Sequence, residues 1–149
     1  MQIRLYPPLW FLMLLILQWV LVRNVPSPSE TLMAVRPFGG MMIGAGMAIF
    51  AAAVWSFRRH STTILPFEDT SEQLIKSGIF RMSRNPIYLG EAFILSGTAL
   101  LSAHGWPWLA PALFVVGIDR NVITWEEKAL RRRFGTDFEK YCQKTRRWF

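Results

Sequence analysis

Four apolar blocks, Tyr6 to Val22, Phe38 to Phe57, Ile87 to Ala103 and Trp106 to about Trp125, constrain this chain more than any other feature of it. A helix crosses the ~30 Å of bilayer hydrocarbon with roughly 17–25 mostly apolar residues, so each block has spanning length, the third only just. The apolar residues come in blocks rather than alternating, and 52% of the 149 residues are hydrophobic at a mean hydropathy of +0.23. That is the pattern of a chain whose solvent is lipid. The expected architecture is all-α: one integral membrane domain, 1–149, with about four transmembrane helices and a cytoplasmic amphipathic C-terminal helix in the tail, 126–149. The first block is expected to stay as an anchor entered through Pro7-Pro8, because Arg23-Asn-Val-Pro-Ser-Pro-Ser lacks the small-x-small pattern of a cleaved signal.

A net charge of +7 would suggest nucleic acid in a soluble protein, but the placement of the charge argues otherwise. With four spans, fifteen of the 17 Lys and Arg fall on the N-terminus, the second loop and the tail, leaving only Arg23 and Arg36 on the other side. The positive-inside rule then puts both termini in the cytoplasm, at the inner membrane if the cell is bacterial. Cations at that surface attract anionic lipid, so the pI of 10.3 needs no DNA or RNA. Cys142 is the only thiol, which excludes an intrachain disulfide and a Cys-rich metal site. His60 and His104 fall at opposite membrane faces, so no metal is expected.

The second block contains Gly39-Gly-Met-Met-Ile-Gly-Ala-Gly46. It does not fit G-x-G-x-x-G and no strand precedes it, whereas Gly40, Gly44 and Ala48 line up as a small-residue face for close helix packing. Between Pro66 and Gly78, Asp69-Thr-Ser-Glu-Gln has helix-start character, predicting a short amphipathic piece that Gly78 ends.

The informative polar residues cluster where the basic loop enters the third block. In Arg84-Asn85-Pro86, the residue before proline is pushed away from helical geometry, so Asn85 is expected to be extended and Pro86 to start the helix. The first turn then offers unpaired backbone N–H groups to an anion such as a carboxylate, beside Tyr88. Taken alone, the tripeptide reads more readily as a capped helix end with an arginine snorkelling to headgroups, and the tail reverses that preference. In the tail, Glu126-Glu127 is followed by Leu130, Phe134, Phe138 and Tyr141, an apolar stripe at helical spacing interrupted near Gly135 and flanked by Arg131, Arg132, Arg133, Lys140 and Lys144. Such a helix is expected to lie on the cytoplasmic face and to close a pocket over the Asn85 turn.

Taken in order, Leu74-Ile-Lys-Ser-Gly-Ile-Phe80, Arg84-Asn-Pro-Ile-Tyr-Leu-Gly90, Glu126-Glu-x-x-Leu130, Phe134-Gly135, Phe138-x-x-Tyr141 and Arg146-Arg-Trp148 resemble the isoprenylcysteine carboxyl methyltransferase family, relatives of the phospholipid methyltransferases. The resemblance covers roughly Leu65 to Trp148. It implies S-adenosylmethionine as cofactor, bound at a cytoplasmic pocket by the segment Arg84, Asn85, Pro86, Ile87, Tyr88 and Gly90 and by Glu126, with Glu127 beside it. Two positions depart from the family: Phe80 stands where many members have tyrosine, and Val122 where the eukaryotic carboxyl methyltransferases have arginine. Arg120 is the nearest substitute for that arginine and becomes the candidate to hold an acceptor carboxylate during catalysis.

The implied reaction moves a methyl group to a lipophilic acceptor at the membrane interface, with carboxyl O-methylation favoured and phospholipid-type amine N-methylation as the alternative. A carboxylate is already ionised at neutral pH, whereas an amine must first lose its proton. The competing class is a non-enzymatic four-helix membrane protein such as a small exporter or an assembly subunit. An exporter needs a carboxylate within its spans, and Glu91 is the one candidate.

Overall fold

The computed structural model describes residues 6–25, 34–60 and 73–149, and every regular element among them is helical. In chain order these are α1 (Pro7–Asn24), α2 (Arg36–Arg59), α3 (Pro86–Ser102), α4 (Leu109–Gly117), α5 (Thr124–Phe134) and α6 (Thr136–Lys144). A 3-10 turn at Gly78–Arg81 precedes α3, another at Trp106–Trp108 precedes α4, and a π-helical segment at Ile118–Ile123 joins α4 to α5 without a break. Proline occupies the opening positions of α1, α2 and α3, where a missing N–H costs nothing because that donor has no intrahelical partner.

α1 and α2 are long and apolar enough to cross a membrane, and α3, at 17 residues, is about 26 Å long. Their outward faces are apolar: Leu9, Ile16, Trp19, Met41, Met47 and Trp55 are each more than half exposed. A surface of that kind is costly in water and neutral in hydrocarbon. Trp106 and Trp108, at the opposite end of α3 from Asn85, are also exposed, as in the aromatic belts of membrane interfaces.

α3 is the centre of the assembly. On one side it meets α2 backbone to backbone: a Cβ at Gly46 would lie 2.6 Å from the carbonyl oxygen of Gly90, and one at Gly39 would lie 2.7 Å from that of Gly97. Gly39, Gly46 and the fully buried Ala53 recur every seven residues, so one narrow stripe carries the contact. The expected face was Gly40, Gly44 and Ala48, but a Cβ at Gly40 or Gly44 would meet nothing within 4 Å. Both stripes are short runs of small residues, and only the partner helix distinguishes them.

On its other side α3 packs with α1, α4 and the π segment around Leu14, Leu95, Phe114, Ile118 and Ile123. Gln18 is 4% exposed there, yet all its polar atoms are used. Its Nε2 donates to the carbonyls of Leu95 and Pro107 at 2.9 and 3.0 Å, and its Oε1 accepts from the Thr98 hydroxyl at 2.8 Å. A satisfied amide of this sort pins α1 in place, as polar side chains do between helices in lipid.

Two further expectations change. Residues 66–72 of the expected amphipathic piece lie outside the described residues, and Gln73 to Ser77 are not helical. Gly78, at φ +61°, opens the 3-10 turn rather than ending a helix, a conformation glycine adopts without steric cost. The fourth block ends near Trp125 as an apolar stretch but not as a helix. Its helix runs on through the π segment to Phe134, where Gly135 at φ +49° breaks it from α6.

The packing stripe makes a paired prediction. Gly46→Ala drives a methyl into the Gly90 carbonyl and is expected to cost about 1–3 kcal/mol of stability. Gly44→Ala, facing open space, gains helix propensity and is expected to leave stability unchanged or raise it by up to about 1 kcal/mol. Thermal unfolding of both variants in detergent checks this; equal midpoints would refute the Gly46 contact.

Candidate functional site

A cavity of about 540 Å³ opens where the start of α3 faces α5 and α6. Its apolar wall is built by Phe57, Leu74, Ile75, Phe80, Ile87, Leu130, Phe134 and Phe138, and its polar wall by Arg84, Asn85, Tyr88, Glu126, Glu127, Arg132, Arg133 and Tyr141. The tail stripe Leu130, Phe134, Phe138 and Tyr141 therefore turns inward as one surface. Gly135 bends the chain in the middle of that stripe, so α5 and α6 line the space from two directions.

Pro86 begins α3 and Asn85 precedes it at φ −126° and ψ 57°, out of helical geometry as the proline demands but short of the extended conformation expected. The Asn85 amide does not point freely into the cavity. Its Nδ2 donates to the Arg147 carbonyl at 3.1 Å, and its backbone N–H donates to the Ser83 hydroxyl at 3.1 Å. The first-turn N–H groups of α3, at Ile87 and Tyr88, have no partner within the helix, and both residues line the cavity.

The two adjacent glutamates have opposite circumstances. Glu126 accepts a hydrogen bond from the Tyr88 hydroxyl at 2.7 Å. Burial pushes its carboxyl up to about 7, against the favourable Tyr88 bond and with a further push from neighbouring Glu127. Glu127, by contrast, accepts from Arg84 Nη2 at 2.6 Å and from Arg147 through two parallel bonds at 2.9 and 2.7 Å. Burial acts to raise it too, but the Arg147 and Arg84 bonds outweigh that and hold it below the usual carboxylate range. Glu127 is thus an ionised structural anchor, and Glu126 is the carboxylate left to respond to a ligand.

Arg84 is almost fully engaged as well. Its Nη1 donates to the carbonyls of Thr145 and Cys142 at 3.0 and 3.3 Å, and its backbone N–H donates to Arg146 at 3.0 Å. Only its buried Nε lacks a partner.

Sequence reasoning did not foresee Asp119, Arg147 or Trp148 as members of this cluster. Arg147 Nη1 reaches the Asp119 carboxylate at 3.2 and 3.4 Å, and the Trp148 indole donates to the same carboxylate at 3.2 Å. In an unbroken α-helix, residues 119 and 127 would sit about 80° apart around the axis. The π segment takes more residues per turn and draws them onto one side; Thr124 Oγ1 bonds the Asp119 carbonyl five residues back at 2.8 Å.

Two candidates lie off the cavity wall. Gly90 sits against α2, where a Cβ would meet the Gly46 carbonyl oxygen at 2.7 Å, so its place in the structure is a packing one. Arg120 is exposed on the π segment and does not line the cavity. Val122 packs against the core between α1, α3 and α4. Phe80 is buried edge-on against Phe57 at 5.3 Å, and its carbonyl accepts from the Tyr141 hydroxyl at 2.6 Å. Among the described residues, no group of three or more His, Cys, Asp or Glu has the arrangement of a metal site.

Residues 35–137 match the family model described as phospholipid methyltransferase. The chain is 31% identical over 108 residues to proteins described as probable protein-S-isoprenylcysteine O-methyltransferase in Oryza sativa subsp. indica and subsp. japonica. That alignment covers 71% of this chain and 56% of each rice protein, so the chain spans just over half the length of these curated relatives. It is also 34% identical over 62 residues to an uncharacterized protein of Haemophilus influenzae, covering 42% of this chain and 98% of that one. No solved structure matches the chain.

Proposed function

The chain belongs to the phospholipid methyltransferase family, and from that premise we propose that it moves the methyl group of S-adenosylmethionine to a lipophilic acceptor at the cytoplasmic face of a membrane. The observation that carries this reading is the cavity itself, in which the first turn of α3, the Tyr88–Glu126 pair and an apolar half share one space. Its 540 Å³ lies within the range of about 300–1,000 Å³ that encloses small ligands.

With a methyl group already activated on a sulfonium when S-adenosylmethionine is bound, the work left to the chain is alignment, which can supply roughly 7–11 kcal/mol. The N–H groups of Ile87 and Tyr88, at the positive end of α3, would hold an anionic group of the cofactor. Glu126, oriented by Tyr88, would supply a carboxylate to the cofactor's hydroxyl donors or positive charge. Arg84, Asn85 and Glu127 contribute by holding the turn before Pro86 in place. The apolar stripe of α5 and α6 excludes water and admits the acceptor's lipophilic part.

Because burial holds Glu126 at about 7, its ionised fraction grows as pH rises toward and past that value. A ligand that needs the carboxylate therefore binds more tightly as pH rises from 5.5 to 7.5, by up to about tenfold per unit below the pKa. Titration calorimetry with S-adenosylmethionine on detergent-purified protein checks this. Glu126→Gln is expected to abolish the pH dependence, and Glu126→Ala to weaken binding by about 1–3 kcal/mol. Failure of the parent protein to bind the cofactor would overturn the reading.

For the acceptor we favour a carboxylate, giving O-methylation. Arg120 is a weaker candidate to hold it than Arg132 and Arg133, the tail guanidinium groups on the cavity wall, either of which can pair with a carboxylate through two parallel bonds. Amine N-methylation is the second reading, favoured by Glu126, whose pKa near 7 suits it to take the proton an amine must lose. Radiolabelled methyl transfer to a membrane extract separates the two: methyl esters release volatile methanol in mild base, and amine-linked label does not. Base-stable label would remove the carboxylate reading.

We also propose four spans, formed by α1, α2, α3 and the α4–π helix, with both termini and the cavity in the cytoplasm, since fourteen of 17 cations then lie inside and Arg120 sits at the cytoplasmic end of the last span. Cys142, on α6, reports the orientation. A membrane-impermeant thiol reagent is expected to label it only after permeabilisation; labelling in intact cells would reverse the orientation.

A further inference from the structure

We propose that Arg147 is a positioning residue that sets the separation of the two walls of the cofactor cavity. The inference rests on the cofactor reading above and goes beyond it, because Arg147 does not line the cavity.

Its two ends are attached to different walls. The Arg147 carbonyl accepts from the Ser83 hydroxyl at 2.9 Å and from Asn85 Nδ2 at 3.1 Å, while the Arg146 carbonyl accepts from the Arg84 N–H at 3.0 Å. The main chain at 146–147 is therefore tied to the turn that starts α3. The guanidinium is tied to the opposite wall: Nε and Nη2 hold Glu127 on α5, and Nη1 holds Asp119 on the π segment. No other side chain in this cluster bridges those two carboxylates, which face one way only because the π segment brings them together. The planar, five-donor guanidinium fits that task and an ammonium does not.

The consequence for binding follows from Glu127. With its oxygens accepting from Arg84 and Arg147, Glu127 is turned toward the arginines and α5 is fixed in rotation about its axis. Glu126, the preceding residue, then keeps its place within reach of the Tyr88 hydroxyl. Loss of the guanidinium leaves the main-chain bonds and the single Arg84–Glu127 bond but removes the paired hold on Glu127 and the tie to Asp119, so α5 can turn about the one bond that remains, and a small displacement of a binding group is expensive.

The test measures S-adenosylhomocysteine binding by calorimetry, well below each protein's unfolding temperature, for the parent, Arg147→Met, Arg147→Lys, Glu127→Gln and the double variant Arg147→Met/Glu127→Gln. Arg147→Met is expected to bind about tenfold more weakly. Arg147→Lys retains a single ion pair and is expected to keep most of the thermal stability while still binding several-fold more weakly. The double variant is expected to lose clearly less affinity than the two single losses combined, since both changes break the Arg147–Glu127 bonds, while Glu127→Gln also weakens the Arg84 contact and Arg147→Met the Asp119 contact. A purely structural role would move the unfolding temperature and leave the affinity of the folded protein unchanged. Parent-like affinity in Arg147→Lys overturns the proposal even if Arg147→Met fails to fold, and so do fully additive losses in the double variant. A parent protein that binds no S-adenosylhomocysteine instead removes the cofactor reading, and this inference falls with it.

Discussion

The carboxylate of Glu127 accepts hydrogen bonds from two arginines that lie 43 positions before it and 20 positions after it in the chain. Its side chain is 12% exposed and that of Arg84 13%, so both charges have largely lost their water. Such a pair is favourable only where the remaining lone pairs and protons are also satisfied. Here they nearly all are: the second Glu127 oxygen is held by Arg147, and Arg84 spends its other nitrogen on carbonyls at the end of α6. The start of α3, the start of α5 and the segment after α6 meet at this one group, and the cavity is the space that their meeting leaves.

That dependence explains which parts of the site were legible in sequence. Pro86 dictates its own neighbourhood: it fixes the start of α3 and forces Asn85 out of the helix, whatever the rest of the chain does. The stripe from Leu130 to Tyr141 is likewise a local periodicity, and all four of its residues reach the cavity. The π segment is different in kind, because one residue's worth of altered hydrogen bonding leaves the apolar pattern of the fourth block unchanged. Without it, Asp119 and Glu127 look like unrelated charges. Arg147 was visible only as part of a terminal motif, since its partners lie 20 to 64 positions away. The two glutamates, adjacent and identical in type, differ only through those distant partners.

The glycines make the same point from the packing side. Gly40 and Gly44 have the spacing associated with close helix contact, yet the contact runs through Gly39 and Gly46. Spacing establishes that a helix has a narrow face, and the second helix decides which face is used. Gly90 and Gly97, seven apart on α3, complete that choice, Gly90 meeting the middle of α2 at Gly46 and Gly97 its first turn at Gly39. In this arrangement Gly90 supports the site from behind.

Irregular backbone lies at the two ends of the helices: the 3-10 turn at Gly78, the non-helical Asn85, the π segment and the break at Gly135 at the cavity end, and the left-handed Ala103 with the 3-10 turn at Trp106–Trp108 at the other. In hydrocarbon each of these would expose polar backbone groups at a cost of several kcal/mol apiece, so a membrane protein can afford them only where protein or water covers them. The Tyr141 hydroxyl covers the Phe80 carbonyl, the Ser83 and Asn85 side chains cover that of Arg147, and Arg84 covers those of Cys142 and Thr145. The regular helices α1 to α3 need no such cover and present their apolar faces outward. A polar-walled space in a molecule of this kind is therefore confined to the level where helices begin and end. A ligand that is half charged and half apolar, meeting a partner that resides in lipid, would need a site at that same level.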